Sequence, residues 1–186
     1  MRIISGSARG KKLLSPVGNN TRPTLDRVKE SMFSIIQTFI FDSVVIDLFS
    51  GTGSLGLEAI SRGAKKGYLV EKDYETFKLL DQNTKNFKFE DRSECFNMEA
   101  LNVLKKLKNS EITFDIVFID PPYKMNMIPP CIEFISQSSM LSRKGIIVTK
   151  IDSSEEIYYG DDNIILHDKR EYGNTTIVLY KYKNEN

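Results

Sequence analysis

Val44-Val-Ile-Asp-Leu-Phe-Ser-Gly-Thr-Gly-Ser-Leu-Gly56 decides how the rest of this chain is read. The apolar run from Val44 to Phe49 reads as a buried strand. It breaks at Ser50-Gly51-Thr52-Gly53, after which Leu55, Leu57, Ala59 and Ile60 follow a helical pattern. Strand, glycine turn and helix in that order place a helix N-terminus and free backbone N–H groups beside a ligand. Glycines are needed there because a Cβ would block close backbone approach and positive φ.

Two cofactor readings compete for this turn, beside a purely structural one. Gly51-Thr52-Gly53-Ser54-Leu55-Gly56 fits a dinucleotide fingerprint, and Glu71 lies 20 residues after Gly51, where a ribose-binding acid is expected. The alternative is S-adenosylmethionine (SAM), whose sites use a similar turn preceded by an acid on the strand, here Asp47. A carboxylate at the end of a buried strand needs a partner. The cationic methionine end of SAM would supply one, whereas a pyrophosphate would be repelled. The turn alone does not choose between them.

Working outward, Gly67 to Glu71, Glu94 to Asn97, Phe114 to Ile119 and Gly145 to Thr149 read as further strands. Helical patterns lie between them, from Asp73 towards Asn86, over Ala100–Leu107, and after Pro129-Pro130. Ile164 to Tyr172 and Thr175 to Tyr182 flank Gly173-Asn174, a hairpin signal. Five strand–helix units and a hairpin predict an α/β fold whose mainly parallel sheet carries an antiparallel edge. Upstream, Met1 to Leu14 suggests two short strands around a turn at Gly6 to Gly10. A helix with Thr24 as N-cap and Asp26 in its first turn follows. The expected division is a basic N-terminal hairpin or extension over 1–23 and one domain over 24–186.

The chain's 186 residues, 40% hydrophobic and 27% charged, suit a single domain with a sizeable core. No apolar run approaches the roughly 20 residues that span a bilayer, and no signal peptide is expected, so the cytoplasm is the default. Cys95 and Cys131 have no metal-type spacing, and no metal is expected. Net charge is +1, yet Arg2, Arg9, Lys11, Lys12, Arg22, Arg27 and Lys29 crowd the first thirty residues against Asp26 and Glu30. Such a local excess is read either as a nucleic-acid footprint or as a solvated face.

Asp120-Pro121-Pro122-Tyr123 directly follows the fourth strand of the parallel set, where open α/β sheets bind ligands. Two prolines fix the backbone and remove two N–H donors, leaving carbonyls free to accept. Asp120 adds a carboxylate acceptor, and Tyr123 a face for stacking a base. This set suits the exocyclic amine of a nucleobase, whose lone pair is delocalised and nucleophilically poor. Hydrogen bonds from both amine hydrogens would favour a pyramidal nitrogen aimed at a methyl donor. Hydride transfer has no evident use for such acceptors, which favours SAM over a dinucleotide.

On these motifs the chain resembles the bacterial ribosomal small-subunit RNA guanine-N2 methyltransferases. The resemblance runs through Met1-Arg-Ile-Ile-Ser-Gly6, Thr21-Arg-Pro-Thr-Leu-Asp-Arg-Val-Lys-Glu30, Asp47-Leu-Phe-Ser-Gly-Thr-Gly53, Val70-Glu-Lys-Asp73 and Phe114-Asp-Ile-Val-Phe-Ile-Asp-Pro-Pro-Tyr123. It implies a Rossmann-like SAM-dependent methyltransferase fold with a seven-stranded sheet. It also implies that Asp47, Phe49, Ser50, Gly51 and Gly53 hold the methionine side of SAM, that Glu71 bonds the ribose, and that Glu99 takes the adenine amine. Asp120, Pro121, Pro122 and Tyr123 would receive the guanine, and the product would be S-adenosylhomocysteine. Where the resemblance leads one to expect an acid after the fifth strand, Thr149-Lys150 stands instead. Lys150 is read as a surface substitution in preference to a phosphate contact.

The expected activity is methyl transfer to the N2 amine of a guanosine in small-subunit (16S) ribosomal RNA, free or in a partly assembled subunit. Arg9, Lys11, Lys12, Arg22 and Arg27 would engage phosphates. No membrane or obligate protein partner is expected. Adenine-N6 methylation of DNA and a non-catalytic RNA-binding assembly role are the alternatives. His167, the only histidine, is read as structural.

Overall fold

The computed structural model describes residues 1–16, 23–122 and 125–183. Two expected site residues, Arg22 and Tyr123, lie outside that set.

Helix α1 (Pro23–Ile35) leads into the short α2 (Gln37–Ile40). Thr24 was expected to cap α1, but the helix already includes Pro23. Proline's fixed φ suits the first turn, where its missing N–H would have had no partner anyway. Then β1 (Val44–Asp47), α3 (Gly56–Ser61), β2 (Lys66–Val70), α4 (Tyr74–Phe87), β3 (Ser93–Phe96), α5 (Ala100–Lys108), β4 (Phe114–Ile119) and α6 (Ile128–Gln137) alternate. The chain closes with β5 (Leu141–Asp152), β6 (Ile164–Tyr172) and β7 (Thr175–Tyr182).

Among the described residues, seven strands form one sheet in the order β3-β2-β1-β4-β5-β7-β6. The first five are parallel, while β7 runs antiparallel to both β5 and β6. Side chains leave a strand on alternate faces, and here both faces are covered. Ile46, Val117 and Ile147 pack towards α5 and α6, and Val45, Ile116 and Ile146 towards α1 and α2. Strands β3 and β6 are the two edges, and β6 exposes Lys169, Arg170 and Glu171, charges that discourage edge-to-edge pairing.

The opening residues are docked by a third cluster. Ile3, Ala8 and Leu13 are buried against Leu57, Ile60, Leu80 and Phe87. Burying the larger two contributes about 2 kcal/mol each as an upper figure. Arg2 and Lys12 form an antiparallel bridge, so the expected strands shrink to a single rung around the Gly6 to Gly10 turn. Ser7 N–H and Ala8 N–H donate to the carbonyl and hydroxyl oxygens of Ser61 (2.8 and 2.9 Å). A Cβ on Gly6, at φ +84°, would run into the Ser61 carbonyl, so glycine is required there.

Candidate active site

Strand order reverses between β1 and β4, because the chain moves outward from β1 to β2 and β3 on one side and from β4 to β5 on the other. Connections leaving the carboxyl ends of these neighbours diverge and open a crevice. The glycine turn leaves β1 there, and Asp120-Pro121-Pro122 leaves β4.

The turn is braced from below. Ser50 Oγ donates to the Asp47 carbonyl (2.9 Å) and accepts the Val70 N–H (3.0 Å), tying β1 to β2. Gly51 and Gly53 have φ of +54° and +95°. A Cβ on Gly53 would strike the side chains of Leu57 and Leu80, whereas Gly51 faces open space. Glu71 closes the turn from β2: its Oε2 accepts Gly51 N–H (3.0 Å) and its Oε1 accepts Asp73 N–H (2.8 Å). Asn83, 31 residues beyond the turn, donates to the Thr52 carbonyl (2.9 Å). It also holds both the N–H and the carbonyl of Leu14. One buried amide therefore clamps the glycine turn and the N-terminal segment together.

Asp47 is 1% exposed. Its Oδ2 accepts the Gly56 N–H (2.9 Å), but its Oδ1 is buried with no partner among the described residues. Burial, reinforced by the nearby Asp120 carboxylate, pushes its pKa up to about 7. A buried carboxylate short of a partner is costly unless a ligand supplies one, and a cation is the matching ligand.

In front of the turn lies a cavity of about 420 Å³, lined by Phe49, Gly51, Glu71, Lys72, Met98, Glu99, Asp120, Pro121, Pro122 and Lys150, among others. Seven residues picked from the sequence thus meet at one cavity: Phe49, Gly51, Glu71, Glu99, Asp120, Pro121 and Pro122. Asp47, Ser50 and Gly53 do not line it and stand behind the turn. Glu99 is exposed at the start of α5 and pairs with Lys72 (3.5 Å). The mouth carries this exposed pair, while the walls are apolar, as expected of a site that takes a flat ring beside polar groups.

Asp120 is 22% exposed through its side chain, and its Oδ2 meets the Lys150 ammonium at 2.6 Å. Lys150 is itself only 18% exposed. The sequence reading of Lys150 as a surface substitution is therefore corrected: β5 delivers it into the crevice beside β4, since Thr149 is in register with Ile119. Burial raises the Asp120 pKa above the usual carboxylate value, and Lys150 pulls it back.

Arg9, Lys11, Lys12 and Arg27 are exposed, whereas Lys29 is buried. Lys29 Nζ meets Glu58 Oε2 at 3.0 Å and donates to the Arg2 carbonyl (3.0 Å). Counting Lys29 with the basic face was an error that composition could not expose. Glu58 itself gave no signal: it lies on the helix after the glycine turn, where acids are common. Its carboxylate also accepts Ile4 N–H (2.8 Å), Ser5 N–H (3.0 Å) and Arg62 Nε (2.7 Å).

Fold and crevice together define a Rossmann-like methyltransferase of the SAM-dependent class. A solved "putative methyltransferase" from Escherichia coli superposes with a TM-score of 0.85 at 28% identity, covering 98% of either chain. The family model described as conserved hypothetical protein 95 matches residues 1–181, and the chain belongs to that family. Ribosomal RNA small subunit methyltransferase D of Haemophilus influenzae is 34% identical over 186 residues, 99% of this chain and 94% of that one. Its Escherichia coli namesake is 30% identical over 181 residues, 97% and 89% of the two chains.

Proposed function

We propose that this protein methylates the exocyclic N2 amine of a guanosine in small-subunit ribosomal RNA, free or partly assembled, with SAM as donor. The observation that carries the reading is the placement of Asp120-Pro121-Pro122 on the same 420 Å³ cavity as Gly51 and Glu71, with the half-satisfied Asp47 behind. The names of the two ribosomal RNA relatives support the substrate class.

The residues present fit the cofactor. From behind the glycine turn, the Asp47 carboxylate balances the charge of the cofactor's ammonium group, its Oδ1 carrying no competing hydrogen bond among the described residues. Glu71, already fixed by two backbone N–H groups, keeps lone pairs for ribose hydroxyls. Phe49 and Met98 supply apolar contact, and Glu99 accepts from the adenine amine after releasing Lys72. SAM supplies, when bound, an activated methyl group on a sulfonium sulfur. Asp120 accepts one amine hydrogen of the guanine, and the carbonyls of the proline segment accept the other. That grip turns the nitrogen lone pair out of conjugation. Methyl transfer would leave S-adenosylhomocysteine and a positively charged acceptor nitrogen; the Asp120 carboxylate stabilises that charge, and the nitrogen then loses one proton through Asp120 to solvent. Tyr123 stacks the extruded base. Arg9, Lys11, Lys12, Arg22 and Arg27 engage the RNA backbone, so binding weakens steeply with salt. With this substrate the site of action is the cytoplasm.

The test is incubation with labelled SAM and unmodified small-subunit ribosomal RNA, free and partly assembled, beside unmethylated DNA. N2-methylguanosine in digested RNA, absent with Asp120→Asn, is the expected product. Methyladenine in DNA would replace this reading with adenine methylation. Cofactor binding without any methylated product would point to the non-catalytic assembly role.

A further inference from the structure

Asp120, the carboxylate proposed to take the acceptor amine, already holds a cation in the free protein on one of its two oxygens. The Lys150 ammonium lies 2.6 Å from Asp120 Oδ2, and neither side chain is fully enclosed, at 18% and 22% exposed. Lys150 borders the 420 Å³ cavity on one side. On another it borders a small hollow formed by Pro121, Pro122, Met125 and Asn126 of the β4–α6 connection. It therefore stands at the junction of the cofactor cavity and the loop that would meet an incoming base. Its strand is fixed, since Lys150 pairs with Ile177 in the antiparallel ladder to β7, but its four-carbon stem is flexible.

Methyl transfer brings positive charge onto the acceptor nitrogen. An ammonium left on the same carboxylate would oppose that charge at close range, in surroundings drier than bulk water. A nucleotide entering the site carries a phosphate, the anion that lysine binds as a compact point charge.

We propose that Lys150 is a partner-exchange latch: its ammonium holds Asp120 oriented in the free protein and passes to an RNA phosphate as the base enters, freeing the carboxylate for the amine. This makes Lys150 a positioning residue and adds one phosphate contact to the RNA footprint. It rests on the reading that the substrate is RNA.

The charged groups around Asp120 are Asp47 from β1, Lys150 from β5, Glu71, Lys72 and Glu99 on the same cavity, and Lys29 with Met1 across a second small hollow, while Glu155 and Glu156 share the first hollow with Lys150. Of these, Lys150 is in contact. Removing its charge leaves burial unopposed, so the Asp120 titration should move to higher pH, and the acid limb of methylation with it.

The experiment compares the full-length protein with Lys150→Met, which keeps the stem, and Lys150→Arg, which keeps the charge; thermal unfolding verifies that both fold. Two readouts are needed. The first is a carbon-13 NMR titration of the Asp120 carboxyl in ligand-free protein, assigned with Asp120→Asn. The midpoint should rise in Lys150→Met and stay near the natural one in Lys150→Arg. The second is the salt dependence of binding to unmodified small-subunit ribosomal RNA. The slope of log K against log salt should become shallower by about 0.7–0.9, one phosphate, in Lys150→Met only. An unmoved midpoint would mean that no pair exists to be exchanged, and an unmoved slope that no phosphate receives Lys150; either overturns the latch. The NMR arm involves no catalysis, so a protein that methylates no RNA would sink the proposed function while leaving the pair itself decided.

Discussion

Two carboxylates, eleven residues apart in sequence, are equally hidden and oppositely treated. Glu58, 0% exposed, is surrounded by donors: two backbone N–H groups, Lys29 and Arg62. Asp47, 1% exposed, has one backbone N–H at Oδ2 and an Oδ1 with no partner among the described residues. The first is finished by folding, and the second leaves a charge that, under the proposed function, the cofactor balances. Buried charge marks a functional site when its account is left open, and burial alone does not separate the two cases.

The largest effect should come from Glu58→Ala. It strands Lys29 and Arg62 and releases the Ile4 and Ser5 N–H groups, so a loss of about 3–5 kcal/mol is expected in urea unfolding. A loss below about 1 kcal/mol would break the contrast, because Glu58 would then be no better satisfied than Asp47.

Next, Asp47→Asn should cost S-adenosylhomocysteine at least about 100-fold in affinity by calorimetry, since removing a buried charge partner costs on the order of 3 kcal/mol or more. The same variant should unfold at the same or a higher temperature at pH 8, where the natural carboxylate is charged and short of a partner. A clear fall in melting temperature would mean that Asp47 serves the fold.

The pH dependence sharpens the point. The Asp47 pKa, about 7 in the folded protein, lies above its value of 3.8 in an unfolded chain. Between those values the native state binds more protons, so the free protein loses stability as pH rises, by at most about 1.4 kcal/mol per unit. Ligand binding should run the other way. Affinity for S-adenosylhomocysteine should rise with pH up to about 7 and then level off, by no more than roughly tenfold per unit. Calorimetry between pH 5 and 8 measures it.

The smallest effect belongs to a third carboxylate, Asp73, which is exposed and caps α4 by accepting Thr76 N–H at 2.8 Å. Asp73→Ala should lower the melting temperature slightly and leave ligand affinity unchanged.

Strands and the glycine turn were legible because their signals are local. An apolar run, a Gly-x-Gly and a Gly-Asn each specify a conformation within a few residues. The meeting of Asp120 with the turn was also readable, through the rule that loops diverge at the switch point. What escaped were pairings across the chain. Lys29 reaches Glu58, Asn83 reaches Leu14 over 69 residues, and Lys150 reaches Asp120 over 30. Before folding, Lys29 is one more basic residue and Lys150 one more departure from a pattern. Their meaning lies in partners that nothing nearby announces.

The docking of residues 1–14 also imposes an order of events during synthesis. Their partners, Glu58, Ser61 and Asn83, lie 53 to 69 residues further along the chain. On a translating ribosome the opening segment must therefore wait, undocked, until α4 has emerged. At about 5–20 residues per second that delay lasts on the order of several seconds. Ile3 and Leu13 are exposed for that interval, a window in which a nascent-chain chaperone would find them and a mature protein would not.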